Sequence, residues 1–442
     1  MGGIPMDEGG PVPQYLTIAS IGARGDGIAE TPEGLVYVPF SAPGDVVQAL
    51  VERSGKDSFK DRNKGALRAE VLEIIELSPQ RQQPACVHFG KCGGCALQHL
   101  APAPYADWIK ARITMALAHH GLEGAPVGEP FITPPASRRR MALKARWGQK
   151  TGGGRLLLGF NARASHTLID LAECPVSRPE LVALFEPLRA LLGEILPVEN
   201  QCSVHLTATR PGVAMLLGWA EEPDLVLRER LAVFAREEKL AALWLDIEGD
   251  LEPIVEMAKP VIEVSGVEIP LPPGAFAQAT AEGEAALVTA ALEAMAGAEH
   301  VADLFAGIGT FTLPLAGAAR VHAVEGEKRL LDALVAGANN AAPGVKTVTS
   351  EHRDLFRRPL TAEELNRFAA VLFDPPRAGA KAQVAELANS GVPLVVAVSC
   401  NPNTFARDAR TLVDGGYEIE SILPVDQFLW SSHVELLAVF RR

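Results

Sequence analysis

The sequence predicts a multidomain α/β protein: a small N-terminal β-barrel, a central α+β segment with a cysteine-rich insert, and a C-terminal Rossmann-like α/β domain. Three observations predict it. Between residues 15 and 75, short β-branched runs alternate with glycine and proline turns, the pattern of a small all-β unit. Cys86, Cys92 and Cys95 crowd into one short segment, the spacing of ligands rather than of a disulfide framework. From His300 onward, apolar strands end in turns at Asp303, Asp374 and Cys400, as the strands of open α/β sheets do where they expose reactive groups. The boundaries implied are 14–76, 77–270 and 271–442.

At 442 residues the chain has material for several cores. With 48% hydrophobic and 21% charged residues, it has the composition of an ordinary globular protein. No apolar run in the sequence approaches the ~20 residues of a membrane span, and Met1-Gly2-Gly3-Ile4-Pro5 does not open a signal peptide. The expectation is a cytoplasmic monomer with no membrane partner. A formal charge of −13 argues against indiscriminate nucleic-acid binding. One segment runs the other way: Arg138, Arg139, Arg140, Lys144, Arg146, Lys150, Arg155 and Arg163 follow one another without an intervening acid, and such a run can hold a polyanion.

The first thirteen or so residues are rich in Gly and Pro and are expected to be loose. Strands are then predicted at 17–21, 35–40, 46–51 and 68–75, separated by Gly25-Asp26-Gly27 and Pro43-Gly44-Asp45 turns. Four or five strands in so short a stretch make a barrel of oligonucleotide-binding type. Its long loop carries Arg53, Lys56, Lys60, Arg62 and Lys64, either a phosphate-contacting surface or a solvated hairpin tip. With its Gly-Asp-Gly-Ile-Ala and Pro-Gly-Asp turns, this segment resembles the TRAM module carried by several RNA-modifying enzymes.

In Cys86-x5-Cys92-Gly93-Gly94-Cys95 the two glycines let the chain fold tightly enough for both flanking sulfurs to face one point. Cys174, in an isolated Glu-Cys-Pro turn, supplies a fourth soft ligand. Four thiolates suit zinc or an iron–sulfur cluster, and the arrangement of three clustered ligands with one remote favours a 4Fe–4S cluster. Cys202, in an apparent strand, reads as a core residue. A helix is predicted from 105 to about 120. Between 138 and 170, two alternating segments flank Gly152-Gly153-Gly154 as a hairpin. Its basic side chains, with Trp147 and Phe160 nearby, read as an RNA surface combining phosphate contacts with stacking, or as the charged outer face of a sheet.

The C-terminal part opens on Pro272-Pro273-Gly274-Ala275-Phe276-Ala277-Gln278, followed by a helix of small residues at 281–295. Asp303-Leu304-Phe305-Ala306-Gly307-Ile308-Gly309-Thr310-Phe311 reads as strand, glycine turn and helix, the turn letting backbone approach a ligand. Glu325 ends the next strand, about 20 residues on, where an acid grips ribose hydroxyls. Phe373-Asp374-Pro375-Pro376-Arg377 closes a further strand, and Val398-Ser399-Cys400-Asn401-Pro402 another. A bare glycine turn with a later acid also fits a nicotinamide site. The full series resembles the S-adenosylmethionine-binding core of class I methyltransferases.

Asp-Pro-Pro-Arg, Ser-Cys-Asn-Pro and Ser432-His433-Val434-Glu435-Leu436-Leu437, in that order after the barrel and the cysteine-rich insert, closely resemble the RNA uracil-5-methyltransferase family. The type resembled is the TRAM-bearing, iron–sulfur-containing enzyme of 23S rRNA, and the likeness runs from about 15 to 440. The resemblance implies Cys400 as nucleophile and Glu435 as base. It implies cofactor contacts at Gln278, Phe305, Thr310, Glu325, Asp354 and Asp374, and cluster ligands at Cys86, Cys92, Cys95 and Cys174. Thr310 departs from the Asn common in relatives, and His322 occupies a strand position that is usually apolar.

The chemistry accounts for these residues independently. Carbon 5 of uracil is too weak a nucleophile to attack a sulfonium methyl unaided. A thiolate added at carbon 6 turns the base into an enolate, and a carboxylate then removes the carbon-5 proton. The expected substrate is 23S rRNA, with tRNA or an RNA cytosine as alternatives, and an RNA-binding or folding-assisting role as the non-enzymatic one.

Overall fold

The computed structural model describes residues 12–53, 66–148, 154–341 and 346–442. Outside it lie the N-terminal stretch through residue 11, Lys56, Lys60, Arg62 and Lys64 of the basic loop, Lys150, and Gly152-Gly153 of the hairpin turn. The chain forms two compact units, one running through Trp108 and including Trp430–Ser432, the other containing Ile109–Leu429 and His433–Arg442.

In the first unit, strands Gln14–Thr17, Val46–Arg53, Leu67–Glu76, Gly34–Val38, Gly27–Thr31 and Ser20–Ile21 are neighbours in that order. The segment expected as one strand at 17–21 is interrupted, for a geometric reason. Thr17 pairs with Val46, whereas Ser20 pairs with Ile28. Between them Ile18 N–H donates to Asp45 O and Ala19 N–H to Ile28 O. The two edges of the sheet are thus successive parts of one extended segment. Every second residue points to one core of Leu16, Ile18, Ala29, Val36, Val38, Val47 and Ala49, following the period of two that strands impose. Asp45, fully buried, is neutralised by Arg81 at 2.6 Å and accepts from Ala42 N and Ser78 N.

The second unit holds a seven-stranded sheet in the order Leu168–Asp170, Leu156–Asn161, Arg140–Trp147, Gln201–Thr209, Gly212–Trp219, Ala242–Ile247, Asp250–Glu256. It is antiparallel except where the Leu225–Glu237 helix carries the chain between Gly212–Trp219 and Ala242–Ile247, which are parallel. Cys202 is fully buried in this sheet, as its apolar setting predicts.

The same unit contains an eight-stranded sheet. Its order is Val348–His352, Arg320–Glu325, His300–Leu304, Ala370–Phe373, Leu394–Ser399, Glu435–Arg441, Glu418–Asp426, Phe131–Ile132. The first five are parallel. The inner strands His300–Leu304, Ala370–Phe373 and Leu394–Ser399 are buried on both faces, which is why they read as nearly continuous apolar runs, whereas Val348–His352 is a polar edge. Glu435–Arg441 is antiparallel to both of its neighbours. Phe131–Ile132, from the segment expected to be central, completes the edge. Strand order reverses between His300–Leu304 and Ala370–Phe373, and such a reversal opens a crevice at the carboxyl ends of the strands.

The basic run is distributed differently from the expected RNA surface. On Arg140–Trp147, Lys144 and Arg146 alternate with buried Met141, Leu143 and Ala145. Trp147 lies on the buried side with its indole N–H on Leu196 O at 2.9 Å, and Phe160 alternates with Gly159, the partner of Lys144. The cations and aromatics therefore occupy opposite faces. Arg139 is not a surface cation at all. It is 4% exposed and paired with Glu284 at 2.6 Å.

Candidate active site

Strand register builds the site. Leu304 pairs with Phe373, Phe373 with Ala397, and Ser399 with Leu436. One residue further along, this register sets Phe305 beside Asp374 and Cys400 beside Glu435. Glu325 ends the neighbouring strand, and Asp426 ends the strand on the other side, where Val425 pairs with Glu435.

Phe305 has φ +61°, a left-handed backbone that a bulky side chain adopts only when its surroundings impose it. It turns the chain from strand into the glycine loop, and its ring lies 5.4 Å from that of Phe356. Gly307 also has a positive φ, and its N–H donates to Glu325 Oε2 at 2.9 Å, while Glu327 N–H donates to Oε1 at 2.8 Å. The carboxylate is thereby fixed against the turn, with lone pairs left to accept hydroxyls. Thr310 is half-buried in the same turn. Asp354 is exposed, accepts from Phe356 N–H at 2.9 Å, and follows Arg353, whose N–H donates to Glu325 O.

Cys400 leaves the sheet immediately before Asn401, which caps the Pro402–Asp414 helix through Asn403 N–H. That helix start favours a thiolate. Burial outweighs it and, with Glu435 and Asp374 adding to the effect, pushes the thiol up to about 11; Arg377 opposes this. Glu435 is 5% exposed. Burial and the neighbouring Asp374 raise its carboxyl to about 8, against the pull of Gln427 and Arg138. Asp374 and Asp303 are each raised to about 7, chiefly by burial. Glu435 and Asp374 thus lie at the strand ends as carboxyls that can take up or release a proton near neutrality, while the Cys400 thiol beside them stays protonated there.

Amides connect these groups. Gln278 Nε2 donates to Asp374 Oδ2 at 3.2 Å. Gln427 Nε2 donates to Gln278 Oε1 at 2.8 Å and to Glu435 Oε2 at 2.5 Å. Arg139 Nε donates to Gln278 O at 2.8 Å, and Arg140 Nη1 to Ala277 O at 2.9 Å. Gln427, Arg139 and Glu284 were not among the expected site residues. Asp426-Gln427-Phe428 carries no chemical motif, and the Arg139–Glu284 pair joins residues far apart in sequence.

His322 has a local explanation. Its ring nitrogens meet Thr349 Oγ1 at 2.9 Å and Glu351 Oε2 at 3.3 Å across the sheet edge, and the ring stacks on Phe368 at 5.8 Å.

In the first unit, Cys86 Sγ accepts from His88 N–H and Cys92 Sγ from Gly94 N–H, each at 3.4 Å. Cys174, in the second unit, accepts from Ser177 Oγ at 3.4 Å. Among the described residues, no three His, Cys, Asp or Glu side chains are gathered as metal ligands. No helix is long and apolar enough to cross a membrane among those residues.

A family described as tRNA (uracil-5-)-methyltransferase matches residues 269–442. Along its length the chain is 43% identical to an RNA methyltransferase of Brucella suis, covering 97% of each. It is 44% identical to one of Caulobacter vibrioides, over 97% of this chain and 100% of that protein. A 23S rRNA (uracil(1939)-C(5))-methyltransferase of Vibrio cholerae is 32% identical over 97% of this chain and 95% of its own. Among solved structures, the Pyrococcus abyssi tRNA (uracil-54, C5)-methyltransferase in complex with S-adenosyl-L-homocysteine matches with a TM-score of 0.75. Its identity is 23%, covering 96% of this chain and 99% of that one. That likeness gives the fold, a class I methyltransferase core.

Proposed function

This chain belongs to the RNA uracil-5-methyltransferase family, and from that premise we propose that it methylates carbon 5 of a uridine in 23S rRNA. The observation that carries the reading is the strand register that sets Cys400 beside Glu435, with Asp374 on the next strand.

S-adenosylmethionine supplies an electrophilic methyl when bound. The crevice fits it: the strained Phe305, the Gly307 turn and the oriented Glu325 make a wall for adenosine and ribose. Gln278 and Asp374 continue that wall toward Cys400, and Thr310 and Asp354 flank it. Cys400 Sγ, once deprotonated, bonds to carbon 6 and drives the electron pair of the 5,6 double bond onto the base as an enolate. Carbon 5 then takes the methyl as the methyl's bond to the sulfonium sulfur breaks, and the electron pair stays on that sulfur as the neutral thioether leaves. Glu435 removes the carbon-5 proton, the double bond re-forms, and the Sγ–C6 bond breaks. A buried carboxylate, poorly solvated, is a stronger base than an exposed one.

The target must leave its stack to reach Cys400. The six-stranded sheet of the first unit, as a TRAM-type barrel, and the Lys144–Arg146 face would grip the flanking RNA through phosphates. The ribosomal assignment rests on the relative from Vibrio cholerae, similar along nearly the whole chain. The test is nucleoside analysis after incubating purified protein with S-adenosylmethionine and transcripts of 23S rRNA and tRNA. 5-Methyluridine in the 23S transcript alone is expected. Its appearance only in tRNA changes the substrate, 5-methylcytidine changes the base, and no product in either RNA removes the enzymatic reading.

Cys86, Cys92, Cys95 and Cys174 would hold a 4Fe–4S cluster. Hydrogen bonds already directed at the sulfurs of Cys86, Cys92 and Cys174 are of the kind that support ligated thiolates. Methyl transfer consumes no electron, so the cluster's role in this reading is to order its segment. Anaerobically purified protein is expected to be brown with about four irons per chain; stoichiometric zinc without iron contradicts the assignment.

A further inference from the structure

We infer that Gln427 is a positioning residue whose single amide holds Glu435 and Gln278 in one register, tying the base to the cofactor wall. The inference rests on the roles proposed above for those two residues. Gln427 is 1% exposed and its amide is fully used. Its two N–H groups meet two acceptors, Glu435 Oε2 at 2.5 Å and Gln278 Oε1 at 2.8 Å, and its oxygen accepts from Thr280 N–H at 3.3 Å. Thr280 N–H can only donate, so it holds the Gln427 oxygen on its side and leaves the amide N–H groups for Glu435 and Gln278.

The surroundings are built around that side chain. Gly283 lies in the first turn of the Ala281–Ala294 helix, which Thr280 caps. A Cβ at Gly283 would lie 2.4 Å from Gln427 Cγ and 2.9 Å from Cδ. Glycine weakens a helix, and here its missing side chain is the slot through which Gln427 reaches Glu435. The chain of donors then runs Thr280 N–H, Gln427, Gln278, Asp374, so a shift of the cofactor wall is transmitted to Glu435 through one side chain.

Glu435 is faced by Asp374 and Asp426, which oppose its ionisation, by Arg138, which favours it, and by Cys400 across the register. Gln427 is the neutral donor among them. Its N–H stabilises the carboxylate, so losing it moves proton removal to higher pH.

The test uses the full-length enzyme with RNA transcript and S-adenosylmethionine, comparing wild type, Gln427→Leu, Gly283→Ala and Glu435→Gln. Gln427→Leu is expected to lower turnover about tenfold, to accumulate covalent protein–RNA adduct and to raise the pH midpoint of product formation. Gly283→Ala, which keeps the amide but closes its slot, is expected to show the same signature and keeps the test decisive if the leucine variant does not fold. Side chains that merely fill space would lower Tm and leave adduct level and pH midpoint where they are, and that result overturns the inference. Adduct in Glu435→Gln without adduct or pH shift in folded Gln427 and Gly283 variants rejects the positioning role alone. If Glu435→Gln also gives none, the base assignment fails and the inference with it.

Discussion

Cys400→Ala is expected to abolish methylation, by about 10⁴-fold or more as for other nucleophile removals, while leaving RNA binding intact. The side chain sits where the Leu394–Ser399 strand ends, and the Pro402–Asp414 helix begins two residues on. Deleting one sulfur there disturbs neither element: the cap belongs to Asn401, and the turn is held by Asn401 Nδ2 and Thr404 Oγ1 on Arg377 O. An RNA-binding or folding-assisting protein that retains a methyltransferase core would tolerate this substitution. Methyl transfer by the variant, measured with a labelled cofactor, separates the two readings: turnover above background removes Cys400 from its role.

Glu435→Gln is expected to separate the two halves of the reaction. Bond formation at carbon 6 does not require the carboxylate, whereas expulsion of Cys400 does. Turnover should fall by about 10²–10⁴ while a slow-migrating protein–RNA species accumulates. A second consequence concerns the enzyme without RNA. Burial is the first cause of the raised Cys400 thiol, and Glu435 the second. Because Glu435 itself ionises only near about 8, its repulsion of the thiolate is felt above that pH. Iodoacetamide alkylation of Cys400 should therefore be faster in the glutamine variant at pH 9, and little changed at pH 6. Equal rates at pH 9 would mean that the two groups do not interact.

The parts of the site that were legible in the sequence are those that follow from local pattern. Parallel strands covered on both faces must be apolar throughout, so Leu394–Ser399 and His300–Leu304 stood out, and residues at their ends inherited a position. Glu325 was readable for the same reason, at a fixed distance past the glycine turn. What was not legible depends on distant pairs. Arg139 looked like one of a run of surface cations, yet Glu284, on a helix legible only as small residues, buries and neutralises it. The alternation of a strand likewise sends Trp147 to the face opposite Lys144 and Arg146, which a list of nearby residues does not show. Gln427 is the extreme case: its partners Gln278 and Thr280 lie far upstream, and a glutamine has no pattern of its own.

Trapping the covalent intermediate tests the central claim most directly. Glu435→Gln is incubated with S-adenosylmethionine and the 23S transcript, digested with nuclease and protease, and its peptides are weighed. A peptide containing Cys400 that carries a methylated uridine nucleotide is the predicted result. An adduct on another cysteine, or none while wild type still makes 5-methyluridine, would contradict the account.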